Sequence, residues 1–270
     1  MEAMKSIDFK GARVRYADTG EGVCILLVHG YLESHEIWDG FIRDQLGGFR
    51  VIAPDLPGHG RSGIWGETHT MEDLAGSLHS IMEAEGIRTA WMVGHSMGGY
   101  VTLAFAEMFP GYLSGYCLFH STCFADSEEK KMNRDREISL VRCGKKHQII
   151  SVNIPKGFAG SNLARLRQEV ERAKKIALES EEDGIVAILN GMKARPDRSA
   201  VLQDRRLPQL LIGGMKDNYI PGDVFDRLVA LAPHAAVVRL ENSGHMGFVE
   251  EPWRAAGAII NAIKNMSARD

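Results

Sequence analysis

Three residues far apart in this 270-residue sequence have the types and settings for nucleophilic chemistry: Ser96, Asp217 and His245. Ser96 lies in Gly94-His95-Ser96-Met97-Gly98. An apolar run, Ala90 to Val93, ends there, and a helix-period pattern of Val101, Leu103, Ala104, Phe105 and Met108 begins. A strand that turns directly into a helix crowds the backbone at the bend, and glycines on either side relieve the crowding. The bend pushes the serine hydroxyl out of the sheet edge, beside the free N–H groups and the positive end of the helix. A serine hydroxyl is a weak nucleophile near neutral pH. It needs a base within hydrogen-bond reach, best a histidine that is itself held by a carboxylate. His245 follows the last strand-like run, between Gly244 and Gly247, and Asp217 follows the run before it. Taken singly, each of the three reads as an ordinary loop residue.

The elements around them decide whether they can meet. Ile7 and Phe9, then Ala12, Val14 and Tyr16, read as a hairpin turning at Gly11. Val23 to Val28 is a continuous apolar strand, as expected when both faces of a sheet are covered. A helix from about Glu36 to Leu46, a strand from Phe49 to Ala53 and a helix starting at Thr70 follow. Thr70 and Asp73 have the spacing of a helix cap, and Gly86 ends that helix. Leu113 to Phe119 is the next strand. Strands therefore alternate with helices from residue 23 to 120, which predicts parallel βαβ units and an α/β fold.

The alternation stops after residue 120. Residues 121–206 read as helices, with Ser127 to Cys143, Asn162 to Leu178 and Glu181 to Met192 the clearest; Ile149 to Ile154 is ambiguous. Between Asp126 and Ala200 Lys and Arg outnumber Asp and Glu by 16 to 12, leaving the remainder near −7. Solvated helix faces explain that surplus more simply than an anion-attracting lid. The strand pattern resumes at Gln209 to Gly213, then comes a helix after Pro221, a last strand at Ala235 to Leu240, and a final helix from about Pro252 to Lys264. In a parallel sheet all strand-to-helix loops emerge at the carboxyl ends, where ligands bind. Ser96, Asp217 and His245 thus share one rim.

With those residues placed, the chain resembles the α/β-hydrolase family over essentially its whole length. The resemblance is carried by His29-Gly30-Tyr31, Asp55-Leu56-Pro57-Gly58-His59-Gly60-Arg61-Ser62, Gly94 to Gly98, Asp217 and Ser243-Gly244-His245. It implies a mostly parallel sheet flanked by helices, built from residues 1–120 and 207–270, with 121–206 as an inserted helical cap. It also implies a Ser96–His245–Asp217 triad with an oxyanion hole made by the backbone N–H groups of Tyr31 and Met97. Some members place the acid one strand earlier, where Asp126 stands; Asp217 is preferred. His29 is expected to orient the turn carrying Tyr31, and His95 to pack behind the elbow. His120, at a strand end, is a candidate for the pocket lining. Trp38 and Phe124 are possible pocket walls as well, though their settings suit the core better.

The expected activity is hydrolysis of a small ester, thioester, lactone or similar acyl compound, without cofactor or metal. Serine at the elbow disfavours the dehalogenase and epoxide-hydrolase chemistries of the fold, which use aspartate there. Carbon–carbon bond hydrolysis, peroxide-dependent acyl transfer and a non-turnover small-ligand receptor stay open. Gly58-His59-Gly60-Arg61-Ser62-Gly63 matches a dinucleotide-binding pattern, but the next helix starts near residue 70, too late for that site. A net charge of −3 argues against nucleic acid as a partner, and the lack of a run near ~20 apolar residues argues against a membrane span. Met1 to Lys10 lacks the apolar stretch of a signal peptide, and Cys24, Cys117, Cys123 and Cys143 are scattered, two of them within apolar runs. These features point to a reducing compartment, the cytoplasm. Whether the protein is a monomer or a homodimer stays open.

Overall fold

The computed structural model describes residues 3–267. Eight strands form one sheet: β1 (Ala3–Phe9), β2 (Ala12–Thr19), β3 (Cys24–Val28), β4 (Arg50–Pro54), β5 (Ala90–His95), β6 (Leu113–Phe119), β7 (Gln209–Gly214) and β8 (Ala236–Leu240). Their order is β1-β2-β4-β3-β5-β6-β7-β8. β1 and β2 form the antiparallel hairpin, β2 runs antiparallel to β4, and all other pairings are parallel. The helices are α1 (Asp39–Gln45), α2 (Met71–Ala84), α3 (Met97–Met108), α4 (Glu128–Arg142), α5 (Lys146–Gly157), α6 (Arg167–Glu179), α7 (Glu182–Ala194), α8 (Ser199–Gln203), α9 (Gly222–Leu231), α10 (Gly247–Glu250) and α11 (Pro252–Ser267).

The central strands are apolar throughout because each face has its own core. On one side Leu26, Met92 and Leu118 pack with Leu78 of α2 and Leu103 of α3; on the other Leu27, Val93 and Cys117 pack with Phe41 of α1 and Ile259 of α11. Burial of this kind stabilises by roughly 25 cal/mol per Å² of apolar surface removed from water. Among the described residues no helix is long and apolar enough to cross a membrane.

Two local readings of the sequence need correction, and the ambiguous stretch resolves. Ile149 to Ile154 is helical, within α5. The helix read from Asn162 starts only at Arg167, because Asn162 is diverted: its side-chain amide donates to the Asn242 carbonyl and to Glu250. The helix read from about Glu36 begins as a 3-10 turn, His35–Trp38, before α1. Residues 55–70 form the loop expected from the late helix start at Thr70, with Asp55 accepting from the N–H groups of His35 and Arg61.

α4 to α8 all lie between β6 and β7 in the chain. α4 packs on α7 and α5, α5 on α6, and α8 on α3 and α9. Four of them, α4 to α7, contribute side chains to the cavity described next.

Candidate active site

Ser96 is the hinge between β5 and α3, with φ +51° and ψ −115°. This is a costly conformation for a residue with a side chain, and it persists because its surroundings over-determine it. The Ser96 N–H donates to the Phe119 carbonyl at 2.9 Å, and its carbonyl accepts from the Ser121 hydroxyl at 2.6 Å. Flanking glycines make the turn sterically feasible: a methyl group on Gly94 would collide with the Gly98 carbonyl, and one on Gly98 with the Val28 carbonyl.

His245 lies after β8 and Asp217 after β7. His245 Nδ1 is 2.8 Å from Asp217 Oδ2, and the other carboxylate oxygen accepts from the N–H groups of Tyr219 and Ile220 at 2.7 and 3.0 Å. Burial pushes the Asp217 carboxyl up, but the His245 charge and hydrogen bonds from His120 and His245 outweigh it, so its pKa is lowered. The His245 loop is itself held: the His245 N–H donates to the Gly157 carbonyl at 2.6 Å, and Glu250 accepts from the Gly244 N–H at 2.7 Å.

His120 stands behind this acid. Its Nδ1 is 3.2 Å from Asp217 Oδ2, and its Nε2 accepts from the Gly247 N–H at 3.2 Å. The Gly214 N–H also points at Nδ1, at 3.1 Å, so a proton on Nδ1 serves the Asp217 and Gly247 contacts and leaves Gly214 without an acceptor on the ring. Burial pushes its pKa down to about 4 against the raising effect of Asp217, so the ring is neutral near pH 7.

A second buried pair lies under the elbow. Glu33 accepts from the Gly30 N–H at 2.6 Å and from His95 Nδ1 at 3.0 Å, while His95 Nε2 is 2.8 Å from the His245 carbonyl. Both His95 nitrogens therefore face acceptors, which only the doubly protonated ring satisfies. Burial opposes both charges, yet each is favoured by the other: the Glu33 pKa is lowered and the His95 pKa raised. This imidazolium ties the His29–Tyr31 turn to the His245 loop. Sequence reading expected His95 to pack behind the elbow but missed Glu33 and Glu250, since nothing local marks an acid whose partners come from distant loops. His29 holds its turn through backbone alone, with Nδ1 2.8 Å from the Gly30 carbonyl and Nε2 accepting from Leu56 N–H at 2.9 Å.

Ser96 and His245 open into one cavity of about 470 Å³, whose wall also includes Tyr31, Tyr100, Ile154, Met192 and Tyr219. The N–H groups of Tyr31 and Met97 have no acceptor among the described residues; Met97 opens α3, where the first N–H groups point outward. The three possible pocket-lining residues stand elsewhere. His120 is sealed behind Asp217. Trp38 is fully buried against Phe248 and His95. Phe124 lies under the guanidinium of Arg227, 4.4 Å from its ring centre. Trp38 thus takes the core position preferred for it, and His120, at its strand end, turns inward. Asp126, the alternative acid, is buried between Arg134 and Arg195, whose guanidinium is 2.7 Å away. Burial pushes its carboxyl up, and the Arg134 pairing outweighs this and holds the pKa low.

His120, Asp217 and His245 are also the described group that most resembles a metal-ligand set, with ligand atoms within 4.8 Å of one another. Their separations of 2.8 and 3.2 Å are hydrogen-bond lengths.

Comparison with known proteins agrees with this architecture. A family profile described as alpha/beta hydrolase fold matches residues 23–252. A solved thermophilic esterase from Thermogutta terrifontis, with malate bound, superposes with a TM-score of 0.92 at 29% identity, covering 98% of this chain and 99% of that one. A 2-hydroxy-6-oxononadienedioate/2-hydroxy-6-oxononatrienedioate hydrolase of Burkholderia vietnamiensis is 27% identical over 267 residues, 93% of this chain and 91% of its own. The dihydrolipoyllysine-residue acetyltransferase component of an acetoin cleaving system from Cupriavidus necator is 26% identical over 256 residues. There the match spans 92% of this chain but only 66% of the relative, just under two thirds of its length.

Proposed function

The chain belongs to the alpha/beta hydrolase fold family, and on that premise we propose that it is a serine hydrolase of small esters or related acyl compounds. One observation carries the reading: a serine on a strained strand-to-helix turn shares a cavity with a histidine that is hydrogen-bonded to a buried carboxylate. Ser96 Oγ attacks the acyl carbon while His245 Nε2 takes its proton. The tetrahedral oxyanion is received by the N–H groups of Tyr31 and Met97. His245 returns the proton to the departing alcohol or thiol as the carbon–oxygen or carbon–sulfur bond breaks, leaving an acyl-enzyme. Water, deprotonated by His245, then repeats the sequence and frees the acid and Ser96. Asp217 keeps the imidazole in the tautomer with Nε2 free and stabilises the imidazolium that forms. The inserted helices are the cap of this pocket, excluding water and bounding the acyl group.

The esterase likeness supports ester hydrolysis. Carbon–carbon bond hydrolysis through the same residues of this chain is the second reading, kept because the Burkholderia hydrolase of oxo-dienedioates matches over nearly both chains. A fluorophosphonate probe tests the common premise. Wild type should be labelled at Ser96 and Ser96→Ala should not, with its circular dichroism unchanged. Equal labelling of the alanine protein would refute the assignment. Turnover of short acyl esters against a vinylogous 1,5-diketone then separates the two readings.

A further inference from the structure

The positive surplus of residues 126–200 has no part in the chemistry assigned to Ser96, yet some of it faces the same cavity. Lys130, Asn133, Arg134 and Glu137 line it from α4, at spacings of three and four that put them on one helix face. Asn153 and Lys156 line it from α5. A wall built only to hold an alkyl chain would be apolar; this one is polar over two helical turns. Arg134 shares Asp126 with Arg195, so that buried group of three keeps one positive charge. Lys130 and Lys156 have no carboxylate partner among the described residues. The Lys156 ammonium sits 5.0 Å from the ring centre of Tyr219, whose ring is 5.1 Å from that of His245. One acid, Glu137, stands on this wall, hydrogen-bonded by the Tyr31 hydroxyl and the Asn153 amide at 3.0 and 3.1 Å.

Resting on the reading of Ser96 as nucleophile, we propose that this wall is a carboxylate subsite. The substrate is an acyl compound that carries an anionic carboxylate in addition to the bond that is cleaved, and Lys130 and Lys156 receive it. A single negative charge fits best. Three cations against one acid leave a modest surplus, and Glu137 would repel a doubly charged phosphate. Lys156 also lies in the last turn of α5, where a cation complements the helix end. That role alone does not require it to face the cavity.

Two p-nitrophenyl esters of equal acyl length test the proposal on the full chain: the neutral pentanoate and the anionic hemiglutarate. The ratio of kcat/KM, hemiglutarate over pentanoate, should exceed one. It should fall about fivefold or more in the Lys130→Gln/Lys156→Gln protein, chiefly through KM of the hemiglutarate. It should also fall with added salt, because exposed charges are screened. A ratio that both substitutions leave unchanged, or a preference for the pentanoate in wild type, overturns the proposal. So does preference for a matched phosphonate over the hemiglutarate. Binding without turnover separates this from the nucleophile reading: in Ser96→Ala, the singly charged glutaramate should raise Tm and pentanamide should not, and the lysine substitutions should abolish the shift. Labelling failure at Ser96 with glutaramate binding retained sinks the nucleophile alone. Labelling retained with no glutaramate shift sinks the subsite alone.

Discussion

At the scale of single residues, two carboxylates compete for the role of acid, and their partners separate them. Asp217 contacts His245, whereas Asp126 is committed to two arginines. Asp217→Asn should lower kcat by about 10³–10⁴, because the amide favours the wrong imidazole tautomer. Asp126→Asn should lower Tm, since two buried guanidinium groups lose their counter-charge, while kcat of the folded protein changes less than tenfold. Ester kinetics beside thermal unfolding read both, and a reversed pattern moves the acid to Asp126. The Glu33–His95 pair gives a pH test. The lowered Glu33 pKa contributes stability that is complete above its ordinary 4.5 and lost as pH falls through the folded value. The raised His95 pKa contributes stability that is complete below its ordinary 6.5 and lost as pH rises through the folded value. The pair is therefore worth most between those ordinary values. Glu33→Gln keeps an acceptor for the Gly30 N–H and removes only the charge. Urea unfolding of the two proteins should differ most near pH 5.5, and the difference should shrink as pH rises above the ordinary histidine value; a pH-independent difference would show that charge is not what the pair supplies. Ser96, His245 and Asp217 were readable in the sequence because strand-end order and a local glycine pattern identify them. Glu33 was not, because its role exists only where the β3 and β5 loops meet the His245 loop.

At the scale of elements, the elbow depends on how closely α3 can start against the sheet. Gly98 lies over the end of β3, and an added methyl would overlap the Val28 carbonyl. That atom is backbone in a central strand, so it cannot yield as a flexible side chain would. Gly98→Ala should therefore cost about 1–3 kcal/mol and turn the first N–H groups of α3 away from the cavity. Chemical denaturation measures the first effect. The second predicts that fluorophosphonate labelling slows even in protein that remains folded; a normal labelling rate would show that the helix start can shift harmlessly. Most strands and the capped helix at Thr70 were legible because their signals are short-range. Runs such as Ile25 to Val28 are apolar on both faces, and the Thr70 hydroxyl accepts from the Asp73 N–H at 3.1 Å. The inserted helices were read less well. Asn162 has the composition of a helix start, but its amide is drawn to Glu250 near the histidine loop, so α6 begins five residues later. A tertiary hydrogen bond between an expected helix start and the end of α10, 88 positions away, leaves no trace in local pattern.

At the scale of the molecule, the insertion between β6 and β7 looks in sequence like a separable roof, but its helices are not equally detachable. α7 is fastened to the loop before α2. The His69 N–H donates to the Ala187 carbonyl at 3.0 Å, a methyl on Gly184 would meet the Gly58 backbone, and one on Gly191 would meet the His69 carbonyl. Ile188, Leu189 and Leu202 of α7 and α8 are buried in the same core as α2 and α3. Replacing all of 121–206 by a linker would thus strip apolar surface from the sheet's flank and is expected to give insoluble protein. α4 and α5 differ in their cavity-facing residues, which are mostly polar, although Ile138, Val141, Ile149 and Ile150 also reach that core. Stability and selectivity should therefore be separable within one insertion. Gly191→Ala, forced against the backbone, should lower Tm by several degrees and leave the ranking of acyl chain lengths intact in whatever folds. Replacing the α4–α5 segment, residues 128–157, by a short Gly/Ser linker should do the reverse. Tm should fall less than for the whole deletion, Ser96 should still react with a small fluorophosphonate, and discrimination between acetyl and bulky acyl esters should collapse. The loss of the Gly157 carbonyl, which anchors the His245 N–H, should also slow every ester in common. A chain-length profile that survives removal of α4 and α5, shifted only by that common factor, would assign selectivity to the strand-end loops instead of the roof.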